Sequence, residues 1–502
     1  MRYLLEKGWI VTPFSTQIGT ILIKGSKISH IFTEDEQLPA IDEKQRINCR
    51  GKYILPGIID PHVHLRDLNQ IHKETIESGT QAAISNGITS IIAMPNTSPP
   101  LNCIETIKKY TRKIRQTAHC NVGIYAKLPS VSQNLREYCR HLKKLGVFGI
   151  KIYPGDNPEI INWEPLVRIW EDNKEEFNEY IDDQDRLLVK IQNYVDNLYS
   201  ETQFAQQIHG WEELFMETAK SHLHLLFHAD VPLDSQVREI RFKTFDAIHK
   251  SSLVAHSTNY NKLQELLHIF FIFKILNSNQ SFLCPPITFC HVSSMQAIQL
   301  IEKLRKDLPH IKITIEITPH HTYLSQKIEL PYSSHGKVLP PLRLEEDNLY
   351  IQHLLHSHNL SQFYYGSDHA PHSEKEKAKN FLLTPSGFPS LDVYSKYILS
   401  KYFENEWDLR HFTFYSSYNP ARIYHIKKRG LIYPGYFADL IIFEKVPVYS
   451  LNKEDFKSTS PICPYPLNNI QVLISDVFLN GKNLLESKGT FIARSYNWKP
   501  TH

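Results

Sequence analysis

Between residues 54 and 368 the chain alternates short apolar runs with longer stretches of helical period. The runs are YILPGIID, ITSIIAMPN, NVGIYAKL, VFGIKIYP, LHLLFHAD, ITFCHVS, IKITIEIT and QFYYGSD. They have strand length, and a strand buried on both faces reads as an apolar run in this way. Between most of them lie amphipathic segments such as HKETIESGTQAAISNG and CIETIKKYTRKIRQ. Eight such strands separated mainly by helices predict an α/β fold, a (β/α)8 TIM barrel. A doubly wound open sheet is the competing arrangement, but no GxGxxG follows the first run.

The flanks carry a different pattern. WIVTPF, GTILIKG and KISHIF near the start, with ADLIIFEK and ISDVFLNGK near the end, are short strand-like pieces set among turn residues. They predict a small β-sandwich domain built from both termini, residues 1–50 plus 430–502, beside a barrel spanning 51–429. Residues 156–221, including IWEDNKEEFNEYIDDQD, are acidic and helix-prone. That segment reads as a helical insertion over the barrel mouth or rim, serving as a lid or as a subunit contact. The most apolar stretch, LLHIFFIFKIL, is shorter than the ~20 residues a bilayer span needs and reads as a buried helix.

Composition narrows the partners. The chain of 502 residues carries a net charge of +3, too small to build a polycationic surface. KKYTRKIR, its densest basic run, reads as one face of an amphipathic helix, so no nucleic acid is expected. The N-terminal MRYLLEKGWIVTPF lacks the charged and apolar regions of a secretory signal. None of the seven cysteines forms a CxxC pair, which excludes a zinc knuckle and a disulfide framework. The expected location is cytoplasmic, with no membrane partner.

The chemistry gathers at strand ends. In IIDPHVHLRD (58–67), continuation of the strand would send Asp60, His62, His64 and Arg66 to one side. VFGIKIYP ends in Lys151, LHLLFHAD in His228, ITFCHVS in His291 and QFYYGSD in Asp368. In a barrel these ends share one face, where active sites sit. Imidazole and carboxylate donors without thiolate suit Zn²⁺. Four histidines and an aspartate exceed the three protein ligands usual at one catalytic zinc, so two divalent ions are expected. Such a pair needs an anionic bridge. Lys151 as an ammonium would repel them, whereas its carbamate, an N6-carboxylysine, would offer two oxygens and a negative charge. His222 and His224 sit toward the opposite end of their strand. His320 and His321 either approach the site or serve in structural hydrogen bonds, and His369 either orients Asp368 or packs.

PGIIDPHVHLRD, IIAMPNTSPP, GIKIYPG, FHAD, FCHVSS, EITPHHTYL, KVLPPLR and GSDHAPHSEKEK stand in the order found in dihydroorotases, and the chain resembles that family of the amidohydrolase superfamily over roughly 50–445. The resemblance implies reversible hydrolysis of L-dihydroorotate to N-carbamoyl-L-aspartate in de novo pyrimidine biosynthesis, by a metal-bridging hydroxide. It implies His62, His64 and Asp368 at the first metal, His228 and His291 at the second, and carboxylated Lys151 between them. Asp368 would act as base and then acid. Arg66, Asn96 and His372 would bind the substrate carboxylate. Two departures stand out: Leu339 replaces a polar residue of many relatives, and PGDNPEI after Lys151 lacks the paired threonines of short-chain relatives. The alternatives are another cyclic amidase (hydantoinase, dihydropyrimidinase or allantoinase-like) and a non-catalytic assembly partner. The expected assembly is a homo-oligomer or a complex with a transcarbamoylase.

Overall fold

The computed structural model describes residues 2–130, 134–232, 243, 252–278, 283–357 and 359–484. Every apolar run predicted between 54 and 368 contains a strand. These are β6 Ile58–Val63, β7 Ile88–Ala93, β8 Asn121–Ile124, β9 Gly149–Ile152, β10 His224–Phe227, β11 Ile287–Phe289, β12 Ile313–Ile317 and β13 Phe363–Tyr365. They are fully buried and form two parallel sheets, β6-β7-β8 and β9-β10-β11-β12-β13. Single parallel bridges join the sheets at both seams, Ala126 to Ile150 and Val63 to His369. The strands therefore follow one another in a cyclic order.

Ile59, Ile92, Tyr125, Phe148, Leu226 and Tyr364, from both sheets, pack into one cluster plugged by Ile423, Tyr424 and Ile426. The helices cover the outer faces. KKYTRKIR lies on helix Ile104–Thr117, which buries Ile107, Tyr110 and Ile114 and leaves most of its basic positions outside. LLHIFFIFKIL lies in helix Asn259–Ser278, whose middle is buried all round. Among the described residues no helix is long and apolar enough to cross a membrane.

One predicted strand proves to be two. YILPGIID divides at Gly57: β5 Tyr53–Pro56 belongs to a different sheet from β6. That second sheet contains β1 Arg2–Val11, β2 Thr16–Lys24, β3 Lys27–Phe32, β4 Arg46–Asn48, β14 Leu440–Tyr449, β15 Ile470–Leu479 and β16 Lys482–Asn483. Its order is β16-β15-β14-β5-β1-β2-β3, with β4 also on β1. The two ends of the chain thus pair directly, but in one continuous sheet rather than the expected sandwich. A bulge in β1 at Lys7 (φ 56°) and Gly8 bends it. The bend lets Tyr3, Leu5, Ile23, Ile54, Leu440 and Phe478 enclose a common core. Residues 485–502 of the expected terminal domain lie outside the described residues.

Residues 156–221 hold helices Glu164–Asn178, Gln184–Leu198, Glu201–Gln207 and His209–Lys220. The first buries Leu166, Ile169, Trp170 and Phe177 and packs against helix Asn259–Ser278. Gln184 donates to the Gln296 carbonyl at 2.7 Å, and Lys274 pairs with Asp196 at 2.8 Å. This apolar stripe packs the segment against the helical layer.

The sheets meet at Gly87. It has φ 79°, its carbonyl accepts from Ile58, and a Cβ there would run into the Ile441 side chain of β14. Gly87→Ala is expected to destabilise by about 1–3 kcal/mol through left-handed strain and overpacking, read as a lower denaturant midpoint. An unchanged midpoint would show that this junction can relax.

Candidate active site

The first strand does not continue to Arg66. It stops at Val63, and Arg66, Asp67 and Leu68 all adopt left-handed φ angles of 51°, 62° and 51°. Asp67 anchors this coil by accepting from the Ile76 amide at 2.9 Å and pairing with Lys113 at 2.5 Å. His62 and His64 nevertheless converge. Their Nε2 atoms lie 3.2 and 3.1 Å from the same oxygen of Asp368, just beyond β13. Ligand atoms of these three buried residues lie within 4.8 Å of one another, a group able to hold a metal ion.

The opposite nitrogens of both rings are also held. His62 Nδ1 lies 2.5 Å from Glu316 Oε1, and His64 Nδ1 lies 2.5 Å from Asn96 Oδ1. Each contact assigns the proton to Nδ1 and turns Nε2 toward Asp368, the arrangement by which outer partners orient metal-binding imidazoles. Burial disfavours a charged His62, but Glu316 and Asp368 outweigh it and hold its pKa well above the usual histidine value. Burial likewise opposes ionisation of Asp368, yet His62 and His64 hold that carboxyl well below the usual range. Asp60 lies behind the site; its Oδ1 accepts from the His62 and Ser367 amides at 3.1 and 3.0 Å. Burial raises its pKa to about 6.

His228 and His291 form the second group. His228 Nδ1 and His291 Nε2 approach to 3.0 Å, and the His291 ring lies 5.4 Å from that of His62. Burial, then His228 and Lys151, push His291 well below the usual histidine pKa. Lys151, on β9, is fully buried, and its Nζ has no hydrogen-bond partner among the described residues. His291 Nδ1 is orphaned in the same way. Buried nitrogens without partners cost free energy unless a bound group satisfies them.

Arg66 and His372 lie beside this cluster. Arg66 is buried, with Nε 3.4 Å from the Pro371 carbonyl and Nη2 3.4 Å from His372 Nε2. Lys73 Nζ lies 3.3 Å from His372 Nδ1, and the Ser386 carbonyl lies 3.0 Å from His372 Nε2. An ammonium can only donate, so the network assigns Nδ1 as acceptor and Nε2–H as donor to Ser386. Arg66 Nη2 therefore faces another donor. A buried guanidinium that meets no acceptor in this neighbour suits an anion.

The structure also shows residues that the sequence pattern concealed. Glu316 receives His62, the His291 amide at 3.1 Å and the Tyr364 hydroxyl at 3.2 Å. Its signal was a carboxylate inside the apolar run IKITIEIT. Cys290, next to His291, joins His62 and Glu316 in a second group whose ligand atoms could hold an ion. The Tyr153 hydroxyl, two residues after Lys151, is buried without a hydrogen-bond partner. His321 is structural, 2.8 Å from Thr318 Oγ1 and 3.1 Å from the Pro340 carbonyl. His320 is fully buried with neither ring nitrogen bonded among the described residues, and burial, then His321, place its pKa well below normal. His224 bonds Thr288 at 2.8 Å near the strand's beginning. His369 accepts from the Ser390 amide at 3.0 Å. Leu339 lines a small cleft with His228 and Arg343.

Comparison with known proteins is consistent across methods. A family model described as dihydro-orotase-like matches residues 51–151. A dihydroorotase of Wolbachia sp. subsp. Drosophila simulans (strain wRi) is 26% identical over 470 residues, covering 94% of this chain and 92% of that protein. A dihydroorotase of Pyrococcus abyssi is 26% identical over 469 residues, covering 93% and 91%. Among solved structures, an L-hydantoinase (dihydropyrimidinase) from Arthrobacter aurescens superposes with a TM-score of 0.75 at 18% identity, covering 98% of this chain and 97% of its own. A dihydropyrimidinase from Brevibacillus agri NCHU1002 gives 0.74 at 18% identity, covering 96% and 95%. The curated relatives match by sequence and the hydantoinases by fold alone, each over nearly the whole chain. The chain is thus similar by sequence to dihydroorotases over nearly its whole length, with residues 51–151 matching the dihydro-orotase-like family model, and it shares its fold with hydantoinases.

Proposed function

We propose that this protein is a dihydroorotase, interconverting L-dihydroorotate and N-carbamoyl-L-aspartate in pyrimidine biosynthesis in the cytoplasm. The observation that carries this reading is the buried Arg66 guanidinium next to the histidine cluster, whose Nη2 meets a donor rather than an acceptor in His372. Dihydroorotate brings a carboxylate to that guanidinium. A neutral hydantoin or dihydropyrimidine would leave a buried guanidinium unpaired, a penalty of about 1–3 kcal/mol or more.

The two parallel sheets, bridged at both seams, read as one (β/α)8 barrel with the histidine cluster at its C-terminal mouth. That domain then begins at Gly57 and runs to 429, and the composite β-domain takes residues 2–56, including β5, with 430–484.

The donor set fits two divalent cations, with Zn²⁺ favoured by its nitrogen and oxygen character. His62 and His64 through Nε2, with Asp368, would hold one. His228 and His291 would hold the other. Lys151, whose nitrogen finds no partner among the described residues, would supply the bridge as a carbamate. When bound, the cations supply Lewis acidity at the ring carbonyl and lower the pKa of water.

The chain's own groups do the rest. Arg66 and His372 grip the carboxylate, joined by the Asn96 NH2, since the Asn96 oxygen is taken by His64. Asp368 accepts a proton from the attacking water. The water oxygen bonds to the ring carbonyl carbon, the ring C–N bond breaks, and Asp368 returns the proton to the departing nitrogen. Glu316 and Asn96 keep both imidazoles oriented.

Metal content per chain, measured without chelator and paired with carbamoyl aspartate formation from dihydroorotate, tests this. About two metals with turnover is the expected result. Two metals with turnover only of neutral cyclic amides would replace dihydroorotase by hydantoinase-like activity. A folded chain without metal or turnover would overturn the enzymatic reading.

A further inference from the structure

Residues 378–388 follow the strand end that carries Asp368 and His372 and return beneath the carboxylate subsite. Two lysines from different segments bond to its backbone. Lys337 Nζ donates to the carbonyls of Phe381, Leu382 and Thr384 at 2.8, 3.1 and 2.9 Å. Lys377 Nζ, fully buried, donates to those of Pro385 and Gly387 at 3.3 and 3.0 Å. Ser386 stands between the two carbonyls held by Lys377, and its own carbonyl meets His372 Nε2 at 3.0 Å.

The loop is tied down at its end as well. The Gly387 amide donates to the Lys337 carbonyl at 2.9 Å, and the Ala370 amide to the Phe388 carbonyl at 3.0 Å. Gly387 has φ 115°, and a Cβ there would strike Ala370 and approach His372 Nε2. Two side-chain nitrogens gather five of the loop's carbonyls, while that of Ser386 is directed at the histidine. That carbonyl accepts the Nε2 proton of His372 and so presents a donor, not an acceptor, beside Arg66.

We propose that Lys337 and Lys377 are positioning residues that hold the 378–388 loop against His372, fixing that side chain's tautomer and place and thereby the site that reads the substrate carboxylate. Neither lysine touches the reacting atoms. The inference rests on the dihydroorotase reading for its substrate, but the loop itself can be tested without substrate.

The test compares Lys337→Met, Lys337→Arg and wild type as metal-loaded full-length protein. Amide hydrogen exchange is followed across the loop, with kcat and KM for dihydroorotate and metal content measured in parallel. Lys337→Met is expected to speed exchange across 381–387 and to raise KM about tenfold or more, while kcat stays within about threefold and metal content is unchanged. Lys337→Arg, which keeps donors for the same carbonyls, is expected to restore most of the affinity and protection. Unchanged loop exchange in Lys337→Met overturns the proposal whatever the substrate proves to be. Faster exchange with an unaltered KM in an enzyme that turns over dihydroorotate also overturns it, while leaving the dihydroorotase reading intact. Proportional loss of kcat, affinity and metal would show a general structural role and reject positioning. A wild type inactive on dihydroorotate fails the functional reading, and with it the link from loop to substrate carboxylate.

Discussion

Asp368→Asn is expected to lower kcat for dihydroorotate hydrolysis by about 10²–10⁴-fold, the range contributed by a positioned general acid–base group. One carboxylate oxygen of Asp368 lies 3.1–3.2 Å from two imidazole nitrogens, in a pocket from which water is largely excluded. The neighbouring imidazoles overcome the burial cost and keep the carboxyl ionised, so it is ready to accept a proton. Its backbone is held at φ 47°, an uncommon geometry for a residue with a side chain. His291 shares this geometry at φ 40°. Asparagine preserves shape and one oxygen but cannot take and return a proton. The informative experiment measures kcat together with bound metal. Retained metal with collapsed turnover supports proton transfer by Asp368. Turnover within about threefold of wild type, with metal retained, would remove Asp368 from that role.

The second large effect concerns Arg66. Arg66→Met is expected to reduce kcat/KM for dihydroorotate by about 10²-fold, since charge-assisted hydrogen bonds contribute roughly 1.5–3 kcal/mol and this side chain can make two. Metal content should not change, because Arg66 touches none of the histidine groups. Methionine fills the volume without charge, which separates recognition from packing. The same substitution should improve dihydrouracil relative to dihydroorotate, as the unpaired guanidinium that penalises a neutral ring is gone. Equal kcat/KM for dihydroorotate in variant and wild type would sink the carboxylate assignment and leave Arg66 as a structural residue.

The eight parallel strands were legible because burial on both faces gives an unmistakable apolar run, and turn residues separate the runs. The cluster of His62, His64, Lys151, His228, His291 and Asp368 was legible for a related reason: polar residues at the ends of such runs have no apolar explanation. What stayed hidden depends on tertiary pairing. YILPGIID reads as one strand because apolar residues continue on both sides of Pro56-Gly57, and only the partners of β5 and β6 show that they separate. Alternation carried Arg66 onto the strand, whereas three successive left-handed residues, stabilised by Asp67, end it at Val63. Glu316 resembles an ordinary outward polar position until its contacts with His62, His291 and Tyr364 are seen. Asn96 stood out through its motif, but its contact with His64 Nδ1 comes from the packing of two different strand ends. Lys337 and Lys377 stand inside KVLPPLR and GSDHAPHSEKEK, but a lysine that gathers backbone carbonyls looks like any surface lysine until its contacts are seen.

The division at Gly57 has a consequence for how this chain is made. A ribosome delivers β1 to β5 first, and β5 can complete its pairing only with β14, which emerges after every strand of the barrel. During synthesis the unpaired side of β5 stays open, one residue from the strand that carries His62. Long-range pairings of this kind form slowly and leave exposed strand edges on nascent chains. β5 is thus made long before its final hydrogen bonds can form, and the emergence of β14, rather than of the strands around β5, sets the moment at which this sheet can close.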